Sequence, residues 1–374
     1  MDKIFVKIIK YTLLFLLIFI KNSYAQSLET ILKNSESELI SYVYSNQEKF
    51  EVQIILTELK KRGKSFTIHK KKFNSDKNNY FYPASSIKLP IALLTIEKIN
   101  ESSDLTINSE FSIQGDSIIT TFKKEITDLF IISSNESYNR LFEFLGQDYI
   151  NEKLKQKGFK DFSISHRLST KDSDNLETKE FTFYSNGEIL KIQKSIKNKP
   201  VSKLNLKNLN KGIGFISNNK LQNKPMDFSR KNYFSINELN NILICLFFPE
   251  ISKNKKFYLS KSQNLLIQKL MSSTPFEMGF DKNMYPNNYN KFFIYGDKNG
   301  MINDNIFNKV GNAYGYSIDN AYIYNKNSDR HFVLTACIYT NANNILNDNN
   351  YEYDEIGIPF LAEIGRLLTK YDIR

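Results

Sequence analysis

Apolar residues first recur at helical spacing over 28–44, at Leu28, Ile31, Leu32, Ile40 and Val43. The period then shortens: residues 50–59 and 65–73 read as two strands joined by Lys-Lys-Arg-Gly-Lys with Gly63 at the turn, so a hairpin is expected. After Tyr82-Pro83, Ser85 or Ser86 can cap a helix that continues through Ile99. Between 126 and 145, Leu129, Ile132, Leu141 and Leu145 predict a helical region broken at Ser133-Ser134-Asn135. Further helices are predicted over 149–157, 236–248 and 263–271, then strands over 292–295, 307–310, 321–324 and 332–339, and a last helix over 356–370. There is no internal repeat. Early and late strands enclosing a helical middle are most simply one antiparallel sheet assembled from both chain ends, an α+β fold. Residues 26–98 and 285–374 would form the sheet lobe, residues 99–284 a helical lobe, and the cleft between them the place for a site.

Composition narrows the function. With 374 residues, 41% hydrophobic and only 14 Gly and 8 Pro, the chain is neither disordered nor low-complexity. Its formal charge of +11 invites a nucleic-acid reading until the charge is located. Part of it lies before residue 26: Lys3, Lys7 and Lys10 precede the apolar run 11–20, and Ser23-Tyr24-Ala25 supplies small residues for cleavage. That is the pattern of a secretory signal peptide, so a periplasmic or secreted mature chain is expected. The run is too short for a bilayer span, and no Cys follows it to carry a lipid anchor. Most of the remaining excess is a Lys-rich insertion, residues 191–225, with nine lysines and no acid. No nucleic-acid partner is therefore expected; the insertion reads as a solvated face, with weak contact to an anionic envelope as its functional alternative.

Cys245 and Cys337 sit in apolar segments, as buried free thiols or as a disulfide pair. His69, His166 and His331 show no pair at metal-ligand spacing, so no zinc site is expected, and no Gly-x-Ser-x-Gly elbow occurs; the serine chemistry read below calls for neither metal nor organic cofactor. Three short constellations remain: Ser85-Ser86-Ile87-Lys88, Ser133-Ser134-Asn135 and Lys309-Val310-Gly311. Ser-x-x-Lys at a helix start puts hydroxyl and amine one turn apart on one face, where a neutral amine can activate the serine. Burial and a second cation, Lys309, would both favour that neutral form. Each motif alone is weak, since Ser252-x-x-Lys255, Ser217-x-Asn219, Ser262-x-Asn264 and Lys298-x-Gly300 match too. Context selects Ser85, which opens an apolar helix, and Lys309, which follows Ile306-Phe307 into a strand.

With these motifs in order, the chain resembles the serine β-lactamase and penicillin-binding-protein superfamily, closest to class A β-lactamase-like serine hydrolases. The resemblance spans nearly the whole mature chain and includes Asn139, Asn312 and Gly315 beside the three motifs. It implies a β-lactamase/transpeptidase-like fold and an acyl-enzyme on Ser85, with Lys88 as base and Ser133 relaying the proton to the leaving nitrogen. It assigns Asn135, Asn139, Lys309, Gly311 and Asn312 to substrate binding, the backbone N–H groups of Ser85 and Asn312 forming the oxyanion hole. β-Lactam hydrolysis is the activity implied. A peptidoglycan-directed D,D-carboxypeptidase or amidase acting on stem peptides, and a β-lactam sensor that keeps its ester, are the alternatives. The chain departs from the class A pattern: Ser134 stands where class A enzymes carry Asp, Val310 where they carry Thr or Ser, and, if Ser165 to Ser169 aligns with the family's Arg-centred loop, Ser169 takes the place of the glutamate that activates the deacylating water; the missing glutamate and Val310 favour the carboxypeptidase or amidase. Glu177, Glu180, Asp172 and Asp174 lie nearby at no matching spacing.

Overall fold

The computed structural model describes residues 26–370 except 64, 253–254, 299–304 and 327; the signal peptide read at 1–25 lies outside the described residues. Strands β1 (Gln53–Arg62), β2 (Ser65–Phe73), β3 (Asn305–Ala313), β4 (Tyr316–Asn325) and β5 (Arg330–Tyr339) form an antiparallel sheet in the order β3-β4-β5-β1-β2. The two chain ends meet where β1 pairs with β5, Ile54 opposite Ala336 and Leu56 opposite Leu334. The helices are α1 (Leu28–Lys33), α2 (Glu38–Ser45), α3 (Lys88–Asn100), α4 (Phe122–Ile131), α5 (Asn135–Leu145), α6 (Gln147–Gln156), α7 (Ile236–Phe247), α8 (Lys261–Ser272) and α9 (Ile358–Leu368).

Alternation along the strands divides the core. Ile54 and Leu56 face a cluster shared with α1, α2 and α9, whereas Ile55 and Leu59 join a larger one that takes in α3 to α8. α3 is buried on every side, which is why its sequence is apolar almost without period. The sheet built from both chain ends and flanked by helices is thus the α+β arrangement expected from the pattern.

Three expectations are corrected. Residues 292–295 form a turn: Phe292 and Phe293 are buried, but the Phe293 N–H donates to Asp319 and Gly296 folds back on the Phe292 carbonyl. A four-residue apolar run reads the same for either structure. The middle of the chain also holds a second sheet, Thr120–Thr121, Glu110–Ile113, Phe181–Ser185 and Glu188–Gln193 in spatial order, behind a cluster of Phe111, Phe122, Phe144, Phe181 and Phe183. The Lys-rich residues 191–225, read as an elaboration of the helical lobe, are extended; Lys211 reaches back to Glu51 at 2.7 Å and the Lys207 carbonyl accepts from Tyr80 N–H. Cys245 and Cys337 are both buried and free. Among the described residues no helix is long and apolar enough to cross a membrane.

Candidate active site

Pro83 leads into a 3₁₀ turn, Ala84–Ile87, that runs directly into α3. Ala84 is left-handed at φ +45°, a conformation that costs an L residue roughly 1–2 kcal/mol. Neither serine caps the helix as expected. The Ser86 hydroxyl donates to the Pro83 carbonyl at 2.5 Å, while half-buried Ser85 makes no side-chain hydrogen bond among the described residues.

One turn on, Lys88 is wholly buried (0% exposed). Its amine bonds to the Ser133 carbonyl, to Asn135 Oδ1 at 2.8 Å and to Ser133 Oγ at 3.3 Å. Burial first, and the Lys309 charge second, hold its pKa well below the ordinary lysine value, against the weaker pull of Glu136. Ser133 sits in the break between α4 and α5 at φ +55°. Ser134 makes that break, its Oγ accepting the Ser137 N–H at 3.0 Å as the N-cap of α5. Serine and aspartate cap about equally well, so the departure at Ser134 keeps this local function.

Lys309 comes from β3, the sheet's edge strand, and closes the row: its amine donates to Ser133 Oγ at 2.8 Å and to the Val310 carbonyl at 2.9 Å. Burial drives its pKa down to about 7, Asp319 opposing and Lys291 adding to the fall. Gly311 brings β3 against the serine turn; a Cβ there would collide with the Ser85 backbone N and come within 2.9 Å of the Ala84 Cβ. Exposed Asn312 follows on the same edge. The Ser85 N–H has no hydrogen-bond acceptor among the described residues, the condition a backbone donor needs to receive an oxyanion.

Two cavities meet at Ser85, Asn135 and Asn312. One, of about 410 Å³, is walled by Ser133, Tyr289, Val310, Gly311 and Asp354. The other, of about 460 Å³, is walled by Tyr82, residues 166–170, Lys231, Tyr314, Tyr351 and Tyr353, and none of the described residues lining it is Asp or Glu. Ser169, at φ +51°, accepts from Asn135 Nδ2 at 2.9 Å on this wall.

The structure thus brings Ser85, Lys88, Ser133, Asn135, Lys309, Gly311 and Asn312 together. Asn139 is placed otherwise: its Nδ2 donates to the Leu168 carbonyl at 2.9 Å and its Oδ1 accepts the Leu168 N–H at 2.7 Å. Bonded to Leu168 through both ends of its amide, Asn139 clamps the loop. Two further loop anchors were not read from sequence. Asn232 Oδ1 accepts the N–H groups of Ser165 and His166 at 2.7 and 3.2 Å, and Glu143 holds Arg167 through contacts of 2.5 and 2.9 Å. Among the described residues no cluster of three or more His, Cys, Asp or Glu could hold a metal ion.

Residues 36–371 match the model of a family described as a beta-lactamase enzyme family. A comparison with curated proteins gave no match. Among solved structures, PBP-A is 12% identical with a TM-score of 0.54, covering 92% of this chain and 98% of its own. A point mutant of PBP-A, solved as an acyl-enzyme complex with penicillin G, is 13% identical with a TM-score of 0.53, at 93% and 99% coverage. A beta lactamase from Xanthomonas campestris pv. campestris str. ATCC 33913 is 10% identical with a TM-score of 0.52, at 91% and 99% coverage. At such identities the likeness establishes the fold.

Proposed function

The chain belongs to the beta-lactamase enzyme family, and from that premise we propose that it is an exported serine hydrolase acylated at Ser85 by β-lactams, with an ester that hydrolyses slowly enough to accumulate. The Ser85 oxygen attacks the lactam carbonyl carbon, and its proton passes to the neutral Lys88 amine. The C–N bond then breaks, and Ser133 delivers a proton to the leaving nitrogen while Lys88 restores its own. The N–H groups of Ser85 and Asn312 receive the oxyanion, where one lost donor costs ~3 kcal/mol. Lys309 draws the substrate carboxylate to the Ser133 side, and Asn135 holds the side-chain amide.

The row Lys88–Ser133–Lys309 beside Ser85 is the observation that carries this reading. The PBP-A mutant captured as a penicillin G acyl-enzyme supports the same chemistry here. Slow release is favoured by the acid-free wall of Leu168 and Ser169, because activating a deacylating water needs a nearby base. A stem-peptide D,D-carboxypeptidase working through the same Ser85 ester is the second reading, favoured by Val310, which lacks the hydroxyl that class A enzymes carry there.

The test mixes purified mature protein with a chromogenic cephalosporin and with a penicillin, and follows hydrolysis and intact mass. The expected result is a lasting adduct with little turnover, absent in Ser85→Ala. An adduct surviving in Ser85→Ala refutes the nucleophile, fast turnover refutes slow release, and neither signal refutes the β-lactam reading. Release of the terminal D-alanine from a stem peptide then tests the carboxypeptidase.

A further inference from the structure

The larger cavity has a feature that acyl transfer at Ser85 leaves unused. Two basic side chains line it, Arg167 and Lys231. Arg167 is committed to Glu143 and to the carbonyls of Asn175 and Glu177. The Lys231 amine makes no hydrogen bond or ion pair among the described residues, although the side chain is half-buried. Asp174 is the acid whose field reaches it, and that exposed carboxylate does not pair with it. His166 adds no charge at neutral pH: burial first, and the Lys231 charge second, hold its pKa down to about 4, against the opposing hydrogen bond from its Nδ1 to the Arg167 carbonyl at 2.5 Å.

The remaining wall is aromatic. Tyr82 and Tyr314 meet edge to face at 4.8 Å, and Tyr351 and Tyr353 lie 5.1 Å apart on the same cavity's lining. Ser133, the proton donor to the leaving nitrogen, lines the other cavity, so this one receives the acyl side of the substrate. A half-buried ammonium with no counter-ion is destabilised by burial, and an anionic ligand reverses that cost while excluding a cationic one.

Resting on the reading of Ser85 as the acylated residue, we propose that Lys231 and the tyrosines around it form a subsite for a carboxylate borne on an aromatic or apolar acyl side chain. Substrates whose acyl side chain is cationic are disfavoured by the same group.

Benzylpenicillin, its α-carboxy analogue and its α-amino analogue differ only in that substituent. Their second-order acylation rate constants, measured by intact mass, should favour the carboxy over the amino compound by about fivefold, the scale of one partly screened ion pair. The ratio should fall to about one in Lys231→Gln, persist in Lys231→Arg, and shrink in wild type as ionic strength rises. A wild-type ratio at or below one overturns the subsite, as does a ratio that ignores salt or survives Lys231→Gln. The salt dependence needs no variant, so a Lys231→Gln chain that failed to fold would not block the test. If none of the three compounds acylates the wild type, the Ser85 reading falls and the subsite with it.

Discussion

Gly311→Ala isolates the contact between β3 and the serine turn. Gly311 is not left-handed, so alanine imposes no backbone strain, and the whole perturbation is the added methyl group. That group would overlap the Ser85 N, approach the Ala84 Cβ to 2.9 Å and approach the Ser85 Cα to 3.2 Å. The first contact is backbone, which cannot rotate away, so either β3 or the turn must shift. Overpacking of this kind costs ~1–3 kcal/mol, partly offset by ~0.4–1 kcal/mol from a stiffer unfolded chain. The consequence for chemistry is larger. The clash is with the Ser85 N itself, so a shift of either side disturbs the alignment of the Ser85 and Asn312 donors, and misaligning one oxyanion donor costs ~3 kcal/mol, on the order of a hundredfold in rate. A fluorescent penicillin followed by stopped flow gives the acylation rate, and a thermal melt gives stability. Expected is a loss of about a hundredfold in acylation with a modest drop in Tm. Acylation within about threefold of wild type, in a folded protein, would refute the placing of the oxyanion site at this contact.

Three other outcomes follow from the same geometry. Acylation per free enzyme should be bell-shaped in pH, rising as Lys88 loses its proton at a value well below the lysine norm and falling as Lys309 loses the charge that attracts the substrate carboxylate, at about 7. The two amines titrate as a pair, so the limbs belong to both; a flat profile, or an alkaline limb that survives Lys309→Arg, would count against the assignment. Ser169→Glu places a carboxylate beside Asn135 and should shorten the acyl-enzyme lifetime at least ~100-fold, read as decay of the mass adduct. An unchanged lifetime would show that the missing base is not what slows release. Glu143→Ala strips the counter-ion from nearly buried Arg167 and should cost ~3–5 kcal/mol in urea unfolding; a loss under ~1 kcal/mol would mean that solvent already screens the pair.

The sequence made the ends of the chain legible because their periods are strong. β1 and β5 alternate between two covered faces, and α9 buries one stripe. The second sheet in the middle was missed because its strands are short. Glu110–Ile113 has four residues, and the Phe-x-Phe of Phe181–Ser185 is too brief to separate from a loop. The site was readable as three local motifs, since hydroxyl and amine one turn apart is a short-range relation. Their convergence was not. Lys88 meets Ser133 across 45 positions and Lys309 meets Ser133 across 176, and only the resemblance to a known family anticipated those pairings.

What no spacing could show is how the site is held. Ala84, Ser133 and Ser169 are all left-handed without being glycine, at a cost of roughly 1–2 kcal/mol each. Such a conformation persists only where neighbours over-determine it. β3 presses on Ala84 through Gly311, Ser134 caps α5 immediately after Ser133, and Asn139 grips Leu168 immediately before Ser169. Each strained residue therefore has a support adjacent to it in space or in sequence. The supports are side chain to backbone bonds and one bare glycine contact, which leave no hydrophobic period behind. This accounts for Asn139: the asparagine lies one turn beyond the Asn135 that faces the cleft, and its amide bonds at both ends to the loop that forms the cleft wall.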